Sequence, residues 1–278
     1  MTMTDLLLGL IGDNIAASRA PVLHRLAGAQ VGVEVRYDRL VPAELGKPVE
    51  QILRECAAAG YRGVNVTYPY KEQVAQRVTI ADPQVRAIGA VNTVMFGASG
   101  MVGENTDYTG FMAAYRATLG TEPPGRCALI GCGGVGRALA FALLALGAEE
   151  IRLFDRDMAK AHGLARDLLQ ADPARQVTVA SGVAQATQGA DGLLNGTPLG
   201  MVGIGGTPVA RDEMAGARWV FDAVYTPVET PFLRDAAAAG LAVLPGYELF
   251  FYQGVHAWRH FSGMTLDEDA LRQALAAA

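Results

Sequence analysis

The chain has 278 residues, 51% of them hydrophobic and 18% charged, a globular composition with room for two domains of ordinary size. A formal net charge of -5, without clusters of Lys and Arg, argues against a nucleic-acid partner and for a small-molecule ligand. The longest apolar stretch, Ala138 to Ala148, falls short of the roughly 18 residues of a membrane span, which excludes membrane insertion by a helix.

Taken in chain order, short apolar runs alternate with helical patterns, the signature of βαβ units and largely parallel sheets. The start, MTMTDLLLGLIG, reads as a first buried strand without a basic leader. VRYDRLV and GVNVTY follow as strands, with helices starting near Pro21 and Lys47. Lys71 opens another helix, and Asp82-Pro83 reads as an N-cap with proline in the first turn. The strand AVNTVMF is expected to pair with MVGENT across the Gly97 to Gly100 turn. A helix begins near Asp107, which is either an N-cap of that helix or a chemical residue, or both. After the loop TEPPG come the strand CALIG, a glycine loop and the helix ALAFALLALG. EIRLFD, QVTVA, DGLLNG, RWVFDAVY and LAVL continue a doubly wound pattern. Beyond Gly246 two helices remain, the second with a capping box at Thr265 and Glu268. The reading is therefore an α/β chain of two domains: residues 1–106, completed by 247–278, form a substrate domain, and 107–246 a Rossmann-type dinucleotide-binding domain.

Gly131, Cys132, Gly133, Gly134, Val135 and Gly136 satisfy GxGxxG between an apolar strand and an apolar helix. Glycines there permit the tight turn and let backbone approach a pyrophosphate at the positive end of the helix. The next strand ends in Asp155, about twenty residues on, where a carboxylate accepts from the adenosine ribose hydroxyls and repels a 2′-phosphate. The cofactor expected is thus NAD rather than NADP. Arg156 could stack on adenine or meet a 2′-phosphate, but Asp155 and Asp157 offset its charge.

Oxidising an alcohol requires a base for the hydroxyl proton as the hydride leaves. Lys71, in NVTYPYK, projects from a strand end, and Asp107, in GENTDYTGF, follows another; ammonium and carboxylate together make a proton relay. Asn92, in AVNTV, either satisfies a turn or orients a substrate hydroxyl. His256 and His260 are one helical turn apart but lack further ligands, so no metal is expected. Cys132 reads as a small loop residue. With Cys56 and Cys127 it forms an odd set of thiols lacking CxxC spacing, read as reduced and cytoplasmic.

The set NVTxPxK, GAVNT, NTDxxG, the glycine loop, NGTPLGM and the late Gln253 resembles the shikimate dehydrogenase family over nearly the whole chain. The resemblance implies reversible oxidation of the shikimate 3-hydroxyl to 3-dehydroshikimate with a nicotinamide cofactor and no metal. It carries over Lys71 and Asp107 as the catalytic pair, and Thr67, Asn92 and Gln253 as contacts to ring hydroxyls. Ser18 would hold the substrate carboxylate, with Tyr225 near the same pocket. Asn195, Thr197, Pro198 and Met201 would line the cofactor side. The family's usual SxSP reads SRAP here, so Ala20 replaces one hydroxyl that would bind the carboxylate, and Arg19 is a candidate replacement grip or a solvated cation. SRxP, PYK, GVG and Asp155 resemble the NAD-using quinate/shikimate branch and its aminoshikimate relatives. The alternative readings are another shikimate-like acid dehydrogenase and a catalytically silent dinucleotide or shikimate sensor. The protein is expected to be a cytoplasmic monomer or homodimer.

Overall fold

Apolar segments broken by glycine and proline assemble into two separate sheets in the computed structural model, which describes residues 5–278. The first four residues, part of the start read as leaderless, lie outside the described residues. The chain divides into two compact units, Met1–Thr106 with Gln253–Ala278, and Asp107–Tyr252.

In the first unit, β1 (Asp5–Ile11), β2 (Glu34–Leu40) and β3 (Gly63–Val66) are parallel, while β4 (Thr93–Gly97) and β5 (Gly100–Glu104) add an antiparallel hairpin, in the order β2-β1-β3-β4-β5. The expected hairpin forms, with Gly97 opposite Gly100, and Gly100 adopts φ +112°, which a side chain would disfavour. One sheet face packs Ile11, Val64, Val66 and Val94 against Ile52, Leu53 and Val74. Parallel register sets Ile11 level with Leu40 and with Val66. The segments that follow these strands therefore emerge at one edge.

The second unit holds β6 (Arg126–Ile130), β7 (Glu150–Phe154), β8 (Gln176–Val179), β9 (Gly192–Asn195), β10 (Trp219–Asp222) and β11 (Ala242–Leu244), all parallel in the order β11-β10-β9-β6-β7-β8. This is the doubly wound arrangement, and strand order reverses between β6 and β9. At that switch point the carboxyl ends of both strands carry the glycine loop and NGTPLG.

Local differences from the sequence reading have local causes. The helix after Pro48 runs Val49–Ala58, because proline occupies its N-cap, and Lys47 pairs instead with Glu55 at 2.7 Å. Asp82 does cap the helix Pro83–Ile88, accepting from the Gln84 amide at 2.7 Å. Asp107 is not an N-cap: its helix runs Thr106–Leu119, placing the carboxylate in the first turn. The last helix, Glu268–Ala277, is capped by Asp267, whose carboxylate accepts from the Ala270 amide at 3.0 Å, so the Thr265–Glu268 box does not form. The preceding helix, Gly246–Ser262, is continuous, but its first turns belong to the second unit and the return falls at Gln253 rather than 247. Phe250 stacks on Tyr225 at 4.9 Å, and a Cβ at Gly246 would strike the Asp222 and Val224 carbonyls. These contacts hold the helix start to the second unit. No helix of the described residues is long and apolar enough to cross a membrane.

Candidate functional site

The glycine loop is built by close approach. Gly131 has φ +100°, and a Cβ there would lie 2.7 Å from the Thr197 methyl group. A Cβ at Gly136 would lie 2.0 Å from the Gly131 carbonyl oxygen, so only glycine lets the helix Gly134–Ala145 start against the loop. Gly133 is different: a Cβ there meets nothing within 4 Å, and as N-cap it supplies no side-chain hydrogen bond to the helix. Open space over an uncapped helix start is what a dinucleotide pyrophosphate fits, with the amides of Gly133, Gly134 and Val135 available to it.

Asp155 follows β7 and is half-buried. Its Oδ2 accepts from the Cys132 amide at 2.7 Å, and its Oδ1 from the Asp157 amide at 2.8 Å. The carboxylate therefore secures the glycine loop. Asp157 is spent on the Ala159 amide at 3.1 Å. Arg156 is exposed and, among the described residues, makes no ion pair. Cys132 is buried at 2% exposure; burial, then the Asp155 charge, pushes its thiol up to about 12, which fits a packing role and not a nucleophile.

Beside the loop, Asn195 is fully buried and ends β9. Its Nδ2 donates to the Leu199 carbonyl at 3.1 Å and to Asp222 Oδ1 at 2.8 Å, while its Oδ1 accepts from the Thr197 amide and hydroxyl at 2.9 and 2.6 Å. Where a cofactor-lining residue was expected, Asn195 instead holds the NGTPLG loop from beneath. Thr197 and Met201 are half-buried and Pro198 is exposed. Asp222, missed by the sequence reading, is the centre of this network: it also accepts from the Val224 amide at 2.9 Å and the Thr230 hydroxyl at 2.6 Å. Burial pushes its carboxyl up to about 6 against those three hydrogen-bond contributions.

In the first unit, Thr67 follows β3 with its amide donating to the Ile11 carbonyl at 2.8 Å. Lys71 opens the helix Lys71–Ala75 and is 8% exposed. Burying an ammonium is costly unless its surroundings satisfy it, so such lysines are uncommon as packing elements. Asn92, 3% exposed, accepts at Oδ1 from the Thr106 amide at 2.7 Å and donates from Nδ2 to the Thr106 hydroxyl at 3.0 Å. These bonds fix the residue that immediately precedes Asp107, itself 6% exposed. One amide hydrogen of Asn92 is used in this way; the second has no partner among the described residues.

A chain of buried hydrogen bonds, unseen in the sequence, leads to Asn92. The Tyr37 hydroxyl donates to Asn65 Oδ1 at 2.8 Å, Asn65 Nδ2 to the Thr93 hydroxyl at 3.2 Å, and Thr93 to Asn92 Oδ1 at 3.0 Å. His24 stacks on Tyr37 at 5.1 Å, and burial lowers its pKa to about 4, so it is neutral near pH 7. Ser18 is half-buried, and its hydroxyl accepts from the Ala20 amide at 3.3 Å. Gln253, half-buried, lies on the helix Gly246–Ser262 in the first unit; Tyr225, half-buried, is in the second. Arg19 is not a free grip: its Nη2 donates to the Leu275 carbonyl at 2.6 Å, securing the last helix. Among the described residues no group of three His, Cys, Asp or Glu is placed to hold a metal ion.

Comparison with known proteins agrees with this architecture. Residues 10–94 match the family described as the shikimate dehydrogenase substrate binding domain. The chain is 36% identical to a quinate/shikimate dehydrogenase (NAD(+)) of Corynebacterium efficiens, covering 98% of each chain. It is 40% identical to a shikimate dehydrogenase (NADP(+)) of Rubrobacter xylanophilus, covering 97% of this chain and 95% of that one. Among solved structures, quinate dehydrogenase from Corynebacterium glutamicum in complex with NAD superimposes with a TM-score of 0.90 at 32% identity, over 99% of this chain and 100% of that one. Two domains, one with a doubly wound dinucleotide fold, and full-length similarity lead to one conclusion: the chain belongs to the shikimate dehydrogenase family of oxidoreductases.

Proposed function

We propose that the protein interconverts shikimate and 3-dehydroshikimate, and quinate and 3-dehydroquinate, using NAD. The observation that carries this reading is Lys71, a lysine with 8% exposure opening a helix four residues after Thr67 in the segment NVTYPYK. A dinucleotide held at the glycine loop would supply the acceptor for the hydride released from the ring C3–H on oxidation. The hydroxyl proton passes to the Lys71 amine, and Asp107 holds and tunes that amine. Thr67, Asn92 and Gln253 meet ring hydroxyls, Asn92 through its second amide hydrogen. Ser18 takes the carboxylate, and Tyr225 is assigned to substrate binding by the family resemblance. Gly131, Gly133, Gly134, Val135 and Gly136 seat the pyrophosphate; Thr197, Pro198 and Met201 line the cofactor side of the loop that Asn195 holds.

Support for NAD over NADP comes from the Asp155 carboxylate at the end of β7, where a second phosphate on the ribose would meet its charge. The C. efficiens relative is named for NAD and the R. xylanophilus relative for NADP, and Arg156 is the residue that would favour the latter. The protein on this reading is a cytoplasmic monomer or homodimer with small-molecule partners; its three free, buried cysteines suit a reducing compartment. The test is a substrate panel of shikimate, quinate and aminoshikimate with NAD and NADP, followed by NADH absorbance. Lys71→Ala should lower kcat by about 1000-fold, within the range for loss of a general base combined with lost positioning. Turnover of none of the three acids would overturn the reaction, and better rates with NADP would overturn the cofactor preference.

A further inference from the structure

Arg39 stands near the carboxyl end of β2, level with Leu10 of β1 and one residue before the Ile11–Leu40 pairing. Its neighbour on the same strand face is Tyr37, two residues back, whose hydroxyl reaches Asn65 on β3. Arg39 therefore projects from the face that carries the buried polar chain, at the edge from which Thr67 and the Ser18 loop emerge. The side chain is exposed, and its Nη2 donates to the Ser18 carbonyl at 3.1 Å. That bond uses one of five guanidinium donors. Among the described residues Arg39 makes no ion pair, whereas Arg36 on the same strand pairs with Asp38 at 3.1 Å.

The surroundings call for a cation. Ala20, 7% exposed, offers no hydroxyl, and Arg19 is committed to the last helix. A carboxylate beside Ser18 would also lie at the amino end of the 11-residue helix Ala20–Gln30, whose N-cap residue Arg19 makes no side-chain cap. We infer that Arg39 is the specificity-determining residue that binds the carboxylate of the substrate, in place of the hydroxyl missing at Ala20. The inference rests on the proposed action on shikimate-like acids. It adds that selection of an acid over an uncharged ring depends on a guanidinium held by the Ser18 backbone, which can meet a carboxylate with two parallel N–H donors.

Steady-state kinetics with NAD, comparing shikimate with its methyl ester, test this. Arg39→Ala should raise KM for the acid about tenfold or more, leave kcat within about twofold, and leave the KM of the ester and of NAD unchanged, because uniform binding energy is lost. Arg39→Lys should recover part of the loss, and raised salt should weaken the wild-type acid KM but not that of the ester. An unchanged acid KM in both variants, or equal rises for acid and ester, overturns the inference. Should the wild-type protein oxidise neither compound, the reaction proposed above falls, while calorimetric titration of shikimate into wild type and Arg39→Ala still decides Arg39. A weaker Kd in the variant supports it, and equal Kd values overturn it.

Discussion

Replacing Asp222 by Asn tests whether the carboxylate under the NGTPLG loop carries a stability cost that depends on pH. Asp222 is fully buried, and its carboxyl is pushed up from 3.8 to about 6. The unfolded chain releases this proton near pH 3.8 and the folded chain near 6, so between these values folding takes up a proton. The group's contribution is fully present below about pH 4 and is lost as pH rises through 6. At about 1.4 kcal/mol per tenfold change, that loss is about 3 kcal/mol between pH 4 and pH 7. In Asp222→Asn the amide oxygen can still accept from Asn195 and Val224, and the amide nitrogen can donate to Thr230, so the network survives without the charge. Urea unfolding of both proteins should be followed from pH 4 to 8 through Trp219, which lies in the second unit with its Nε1 donating to the Pro124 carbonyl at 3.1 Å. A Trp258→Phe background removes the other tryptophan's signal. The stability gap between the two proteins should move by about 3 kcal/mol in favour of the variant as pH rises from 4 to 7. A gap that stays constant across that range refutes the reasoning.

Two further substitutions probe the same construction. Gly136→Ala brings a Cβ to 2.0 Å from the Gly131 carbonyl; the loop must move, costing about 1–3 kcal/mol in thermal or urea unfolding, and dinucleotide Kd by fluorescence titration should weaken at least tenfold. Arg19→Ala removes the bond to the Leu275 carbonyl. It should cost about 1 kcal/mol of stability with KM for the acid unchanged, the opposite of the pattern expected at Arg39; a rise in KM comparable to that of Arg39→Ala would return Arg19 to the site.

Motifs confined to one turn were legible in the sequence. Gly131 to Gly136 and Asp155 lie on adjacent strands of one βαβ unit, so spacing alone constrains them, and Asp82-Pro83 is a local cap. What escaped depends on strand register. Tyr37, Asn65 and Thr93 sit on three different strands, and their hydrogen bonds exist because β2, β1, β3 and β4 align as they do. Asp222 meets Asn195 for the same reason: the two residues are register partners on β10 and β9. Proximity in sequence misled twice. Thr265 and Glu268 had the spacing of a capping box, but Asp267 stood closer to the helix start. Arg19 adjoined the altered SRAP motif, yet its guanidinium serves a helix more than 250 residues later, while Arg39 reaches the Ser18 loop from another strand. Cross-strand partners of this kind have no signature along the chain.

The double duty of Asp155 bears on how cofactor choice could change by mutation. Its two oxygens tether the Cys132 and Asp157 amides, so a substitution that removes the carboxylate to admit a 2′-phosphate would also untie the loop proposed to seat the pyrophosphate. Asp157 is similarly bound to its helix through the Ala159 amide. Arg156, exposed between them, is the position at which coenzyme selection can drift without disturbing the scaffold. Divergence toward the phosphorylated coenzyme would therefore begin by reinforcing positive charge there, and loss of Asp155 would come late, after other contacts had taken over the loop.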